Sequence, residues 1–219
     1  MPKTNQNQKN ISDLISDPGC FILFDIASRK DSKNTFKKND KEIALCIDKD
    51  RKEEAKKVYN SYACAFNNSL DLILEADLLF NNGYYARALA LAIMSYEEIG
   101  KSQIAADYYS GVLRRKDYEK AFVSHHEKSS FAGRYKAIGK NNSKSPLVSD
   151  LGFVIDKDSS REIEKIRQNC FYVDEENDPS KNFDKKEVER VLRKVCQHIR
   201  AIEHAEQLNG RIGSKALFK

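Results

Sequence analysis

Two long helical periodicities joined by an Asn-Asn-Gly turn constrain this chain more than any other feature. From Arg51 onward Ala55, Val58, Tyr59, Tyr62, Phe66, Leu70, Ile73, Leu74 and Phe80 recur at steps of three and four, as on an amphipathic helix, and Asn81-Asn82-Gly83 ends the run. A second helix follows at once, from Tyr84 to about Leu113, and its first half, Tyr85 to Tyr96, is apolar nearly all round, which predicts the most buried helix of the fold. The short link makes the two antiparallel neighbours, and Ala86, Ala88, Ala90 and Ala92 let their backbones approach closely. That is half of a helical bundle. Composition agrees: 9 Gly and 4 Pro in 219 residues are too few for a turn-dense sandwich or barrel, and 40% apolar residues are too many for a disordered chain.

Later segments extend the pattern. Asp117 to about Gly139 predicts a third helix carrying His125-His126-Glu127-Lys128, and Asn141 to Asp158 reads as loop. A short helix, Ser160 to Asn169, leads into Cys170 to Asp174, an extended segment closed by a turn at Asp178-Pro179. The last helix, about Asp184 to Leu208, places Val188, Val191, Leu192, Val195, Ile199, Ile202 and Ala205 on one stripe. The expected architecture is all-α, a bundle of four to five helices over residues 51–209. A short N-terminal appendage, 1–50, precedes it and a basic tail, 210–219, follows. Within the appendage the apolar runs Phe21 to Ile26 and Ile43 to Ile47 fit two short strands or a strand and a helical turn equally well, packed on the main domain.

Several function classes lose their support. There is no run of apolar residues long enough to span a membrane and no secretory h-region, so a cytoplasmic protein is expected. Cys20, Cys46, Cys64, Cys170 and Cys196 are odd in number, scattered and never in a Cys-x-x-Cys pair, which predicts reduced core thiols and neither a disulfide framework nor a zinc site. No phosphate-binding glycine loop, dinucleotide fingerprint or nucleophile elbow occurs. A net charge of +5 permits nucleic acid without demanding it.

Four features carry candidate chemistry. Glu97-Glu98-Ile99-Gly100-Lys101 sits in the most apolar helix; Glu97 to Lys101 is a favourable i,i+4 ion pair, whereas Glu98 shares a face with Leu91, Met94 and Ala105 and there needs a partner or a function. On the third helix His125 and Lys128 share one face while His126 aligns with Phe122 and Gly133 toward the core; adjacent histidines point about 100° apart, so a straight helix cannot aim both at one site. Arg193 and His198 form an Arg-x4-His pair on the last helix, about 140° apart on an ideal helix, and converge only if the helix distorts or a two-fold partner completes the site. Lastly, Tyr108, Tyr109, Arg114, Arg115 and Tyr118, with Arg134-Tyr135-Lys136, set aromatic rings beside cations, as base stacking and phosphate contact require or as an ordinary solvated helix end presents.

Asp77 through Lys101, spanning Asn-Asn-Gly83-Tyr-Tyr-Ala-Arg-Ala and Ser-Tyr-Glu97-Glu-Ile-Gly-Lys101, resembles the signature of AbiV-type abortive infection proteins, a branch of the HEPN helical superfamily. His126-Glu-Lys128 and Phe171-Tyr-Val-Asp174 resemble later blocks of that family in the same order, so the resemblance covers about residues 52 to 208. It implies a dimerising helical bundle acting in bacterial phage defence by arresting growth or translation. The wider superfamily implies a metal-independent, cofactor-free endoribonuclease in which Arg193, His198, a second-helix glutamate (Glu98, or Glu97) and His126 are the catalytic candidates. Lys101, Lys128, Arg134 and Tyr172 are then the candidates for RNA and phosphate contact. In that superfamily the residue after the arginine is often small and polar; here it is Lys194. The implied partners are tRNA, mRNA or rRNA, a second copy of the chain and a phage-encoded activator. The competing expectation is a catalytically silent module that blocks translation by binding a phage protein, a host protein or the ribosome.

Overall fold

A computed structural model describes residues 11–15, 45, 48–109, 111, 113–133, 157–172, 178–179 and 181–209. The elements in chain order are α1 (Ile11–Leu14), a 3-10 turn (Lys49–Arg51), α2 (Lys52–Asn81), α3 (Tyr85–Tyr109), α4 (Arg115–Val123), α5 (His125–Gly133), α6 (Lys157–Asn169) and α7 (Lys185–Asn209). Among the described residues the architecture is all-α, a helical bundle with no strand, as the periodicities require.

The α2–α3 corner forms as its sequence dictates. Gly83 takes φ +84°, where a side chain would be strained. The amide of Gly83 donates to the carbonyl of Phe80 at 3.0 Å and that of Tyr84 to Leu79 at 2.9 Å, the paired bonds of a Schellman stop. The two helices then run back to back, their contact lined by Ser69, Ala76, Ala88 and Ala92, all at zero exposure, and Ser95 Oγ donates to the Ser69 carbonyl across it at 2.7 Å. Such small residues allow the backbones to approach closely.

α3 is the axle of the molecule: α2, α4, α5, α6 and α7 all pack on it. Leu89, Ile93, Tyr96 and Ile99 meet Ile163 of α6 and Val188, Val191, Val195 and Ile199 of α7 in one core. Cutting any one of these aliphatics to alanine costs about 2–5 kcal/mol. Ile15 enters this core as well, and α1 is clamped to α7: Ser12 N donates to Glu187 Oε1 at 2.6 Å, while Lys194 Nζ donates to the carbonyls of Ser12 (2.7 Å) and Ile15 (3.1 Å). Leu45 joins a second cluster with Val58, Tyr62, Ala105, Ala106, Tyr108 and Tyr109.

The structure departs from the sequence expectations in four places. The third helix is broken at Ser124 (φ −86°, ψ 122°) into α4 and α5. Serine at that point prefers capping to helix interior: its Oγ accepts from the Glu127 amide (3.4 Å) and bonds His126 Nδ1. Residues 157–158, read as loop, already belong to α6. Cys170 and Phe171 are not extended; they wind off the end of α6, where the amides of Phe171 and Tyr172 both donate to the Gln168 carbonyl. Of the cysteines, Cys170 is a buried free thiol and Cys196 half-buried, but Cys64 is exposed, on the outward side of α2. The apolar run 21–26, most of 43–47 including Cys46, Cys20, Arg134, 135–156 and the tail from 210 lie outside the described residues.

Candidate active site

Glu97 is a buried carboxylate in the middle of α3, only 5% exposed on a helix that is buried along most of its length. A lone carboxylate there would cost several kcal/mol, so the fold has to bring it partners. Two arrive from different elements. His125, the first residue of α5, sets Nδ1 2.7 Å from Glu97 Oε2, and Arg167, in the last turn of α6, sets Nε 3.2 Å from Oε1. A carboxylate beside Nδ1 holds the proton on that nitrogen, which leaves Nε2 with the lone pair of the neutral ring. The imidazole is 44% exposed while the carboxylate it leans on is hidden. A base open to solvent is thus braced from behind by a fixed anion.

Gly100 makes this possible. A Cβ there would fall 1.7 Å from the carbonyl oxygen of Lys128, so only glycine lets α5 lie flat on α3 at this height. The contact seats Lys128 against α3, one turn beyond His125 and 9% exposed. Burial lowers the hold of the Lys128 amine on its proton, and the neighbouring Lys101 adds to this, against the opposing pull of Glu97 and Glu98. Lys101 itself pairs with Glu98 (3.3 Å) and lies over the Phe122 ring (5.3 Å). Two carboxylates, two amines, a guanidinium and an imidazole therefore gather where α3, α5 and α6 meet. Among the described residues no group of three or more His, Cys, Asp or Glu is placed to hold a metal ion.

The residues expected from sequence are placed as follows. Glu98, not Glu97, pairs with Lys101, and Glu97 is the glutamate drawn to the imidazole and guanidinium. His126 does not point to the cluster: Nδ1 is 2.9 Å from Ser124 Oγ and Nε2 3.6 Å from Glu127 Oε1. The chain turns at Ser124, and of the two adjacent histidines it is the more exposed His125 whose ring reaches Glu97. Arg193 is 73% exposed and pairs with Glu189. His198 is 2% exposed, its ring edge-on to Tyr96 at 5.3 Å. Within one chain these two face solvent and core respectively and do not converge. Lys194 between them anchors α1. Tyr172 is 70% exposed, five residues past Arg167 and beyond the end of α6. Tyr108 and Tyr109 are buried and Tyr118 stacks on Tyr108 at 4.5 Å, so that aromatic group is a packed helix end.

Sequence reasoning missed Arg167. Its signal is that it stands four residues after Ile163 and three before Cys170, both buried, so an arginine occupies an apolar stripe and needs a carboxylate. Glu97, buried on α3 beside its apolar first half, needs a cation. The two requirements answer each other.

Searches of curated proteins and of solved structures give no match. Among the described residues no helix is long and apolar enough to cross a membrane. A family model described as AbiV, of the HEPN group, matches residues 57–200, a span that holds Glu97, His125, Lys128 and Arg167 together. The chain belongs to the AbiV family of HEPN proteins, the abortive infection proteins of phage defence.

Proposed function

We propose that this protein defends against phage as a metal-independent endoribonuclease whose site is Glu97, His125 and Arg167. The observation that carries the reading is one buried carboxylate shared by a solvent-facing imidazole and a guanidinium from separate helices. Neutral His125 takes the proton of a ribose 2′-hydroxyl, which then attacks the adjacent phosphorus, so RNA is cut and DNA is not. Arg167 meets the negative charge that grows on the phosphoryl oxygens. Glu97 positions both and stabilises the imidazolium as it forms. Tyr172, exposed just beyond Arg167, offers a ring for a base to stack on.

The test is to map RNA 5′ ends in cells expressing the chain. Wild type should create discrete new ends, lost in His125→Ala and Arg167→Ala and retained in Arg193→Ala. Ends lost only with Arg193→Ala and His198→Ala would move the site to α7. A second reading rests on Leu74 and Leu78, exposed one turn apart on α2: a silent module that binds a protein or the ribosome. Growth arrest with intact RNA, abolished by Leu74→Glu/Leu78→Glu, would establish that reading.

A further inference from the structure

We propose that Lys128 is the general acid of this site, delivering a proton to the 5′-oxygen that leaves as the phosphodiester is cut. The inference rests on the nuclease reading above and assigns the half of the reaction that Glu97, His125 and Arg167 leave open.

The entering and leaving oxygens stand on opposite sides of the phosphorus in an in-line displacement, so one imidazole cannot serve both. The second group has to sit beside the first, offset along the direction of attack. Lys128 is its neighbour: it is three residues after His125 on the same side of α5, its backbone about 4.5 Å further along the helix. Gly100 clamps its backbone to α3, so the amine emerges among Glu97, Glu98, Lys101 and Arg167. Other candidates are committed elsewhere. Lys101 is paired with Glu98, His126 faces Ser124 and Glu127, and guanidinium protons are held too tightly to give. Burial and neighbouring positive charge make the Lys128 ammonium a readier donor than a solvated lysine.

The step balances. The 2′-oxygen gives its proton to His125 Nε2 and forms a bond to phosphorus; the bond from phosphorus to the 5′-oxygen breaks with its electron pair on that oxygen; Lys128 Nζ supplies the proton. The products are a 2′,3′-cyclic phosphate and a 5′-hydroxyl. Water then returns a proton to the lysine and removes one from the histidine.

The test compares two oligoribonucleotides, one ordinary and one with sulfur replacing the bridging 5′-oxygen at the cleaved bond, using the purified full chain. Thiolate leaves without a proton, so an acid is needed only for the ordinary substrate. Lys128→Met should slow cleavage of the ordinary RNA on the order of 100-fold or more and leave the sulfur substrate within a few-fold of wild type. His125→Ala should slow both. Lys128→Arg keeps the charge but cannot give up a proton, so it should behave like Lys128→Met; it also carries the test if Lys128→Met does not fold. Equal losses on both substrates, wild-type rates on ordinary RNA, or full activity of Lys128→Arg would each overturn the assignment. A wild-type protein that cuts neither substrate would instead overturn the nuclease reading on which it stands.

Discussion

The C-terminal end and the middle of α3 each meet an arginine, a glutamate and a third polar group, and they are built in opposite ways. Near its C-terminus, Arg51 Nε donates to Glu54 Oε2 (2.9 Å), Arg51 Nη2 donates to the Tyr108 hydroxyl (2.5 Å), and that hydroxyl donates to Glu54 Oε1 (2.7 Å). The circuit is closed, and Tyr118 stacks over it. At mid-helix, Glu97 is pulled from two directions by groups of separate elements, one of them nearly half exposed. A closed circuit holds a structure together; an anion shared between an open imidazole and a guanidinium has capacity left for something else. The same arginine–glutamate pairing thus acquires different roles according to whether the third group closes the circuit or opens to solvent.

The comparison breaks most visibly at Glu97. Glu97→Ala strands Arg167 and His125 around an empty place and should cost about 3–5 kcal/mol in urea unfolding, with cleavage abolished. If stability is unchanged, the carboxylate is not the hub of that end. Next in size, Gly100→Ala forces the Lys128 carbonyl away from α3 and should cost about 1–3 kcal/mol. Its sharper effect is on cleavage, because His125 moves off Glu97; unchanged imidazole chemical shifts by NMR would show that α5 does not depend on that contact. At the closed end, Tyr108→Phe should cost about 1 kcal/mol and leave cleavage untouched. Burial, with the hydrogen bond to Glu54, pushes the Tyr108 phenol from its usual 10.0 up to about 12. The fold prefers the neutral phenol, so its contribution is whole below pH 10 and lost as pH rises through 12. Melting temperatures of wild type should therefore fall more steeply than those of Tyr108→Phe across that window. The smallest effect is expected at the surface, where Arg193→Ala removes an exposed pair with Glu189 and should shift stability by no more than about 0.5 kcal/mol. A large loss of cleavage there would return Arg193 to the site.

Helix positions were legible because they rest on local periodicity. The three-and-four spacing from Val58 to Phe80, the Asn-Asn-Gly stop and the apolar band of α3 each carry their own signal; α2 and α7 follow the expected boundaries closely, while α3 stops at Tyr109 short of the expected Leu113 and α6 starts three residues early. The family could be read from the same stretch, Asp77 to Lys101. The candidate site was only partly legible, since it depends on which residues meet across elements. Glu97 and Glu98 are adjacent, and choosing between them requires knowing where Arg167 lies. His125 and His126 exchange places through a single capping serine whose effect on phase no periodicity reveals. Arg193 and His198 matched a spacing, yet spacing does not say which side of α7 is buried. Lys194, a departure from the superfamily pattern in sequence, has a plain use in three dimensions: it caps the clamp on α1.

Because Glu97, His125 and Arg167 come from three separate helices, α3, α5 and α6, the constellation has a birth order during protein synthesis. A ribosome-bound chain that ends before Arg167 already contains the carboxylate and the imidazole but nothing to share the charge between them. The pieces come together only when α6 has emerged and packed onto α3 and α5. In a chain of this design the constellation belongs to the packed bundle, because no stretch that stops short of α6 contains all three of its members.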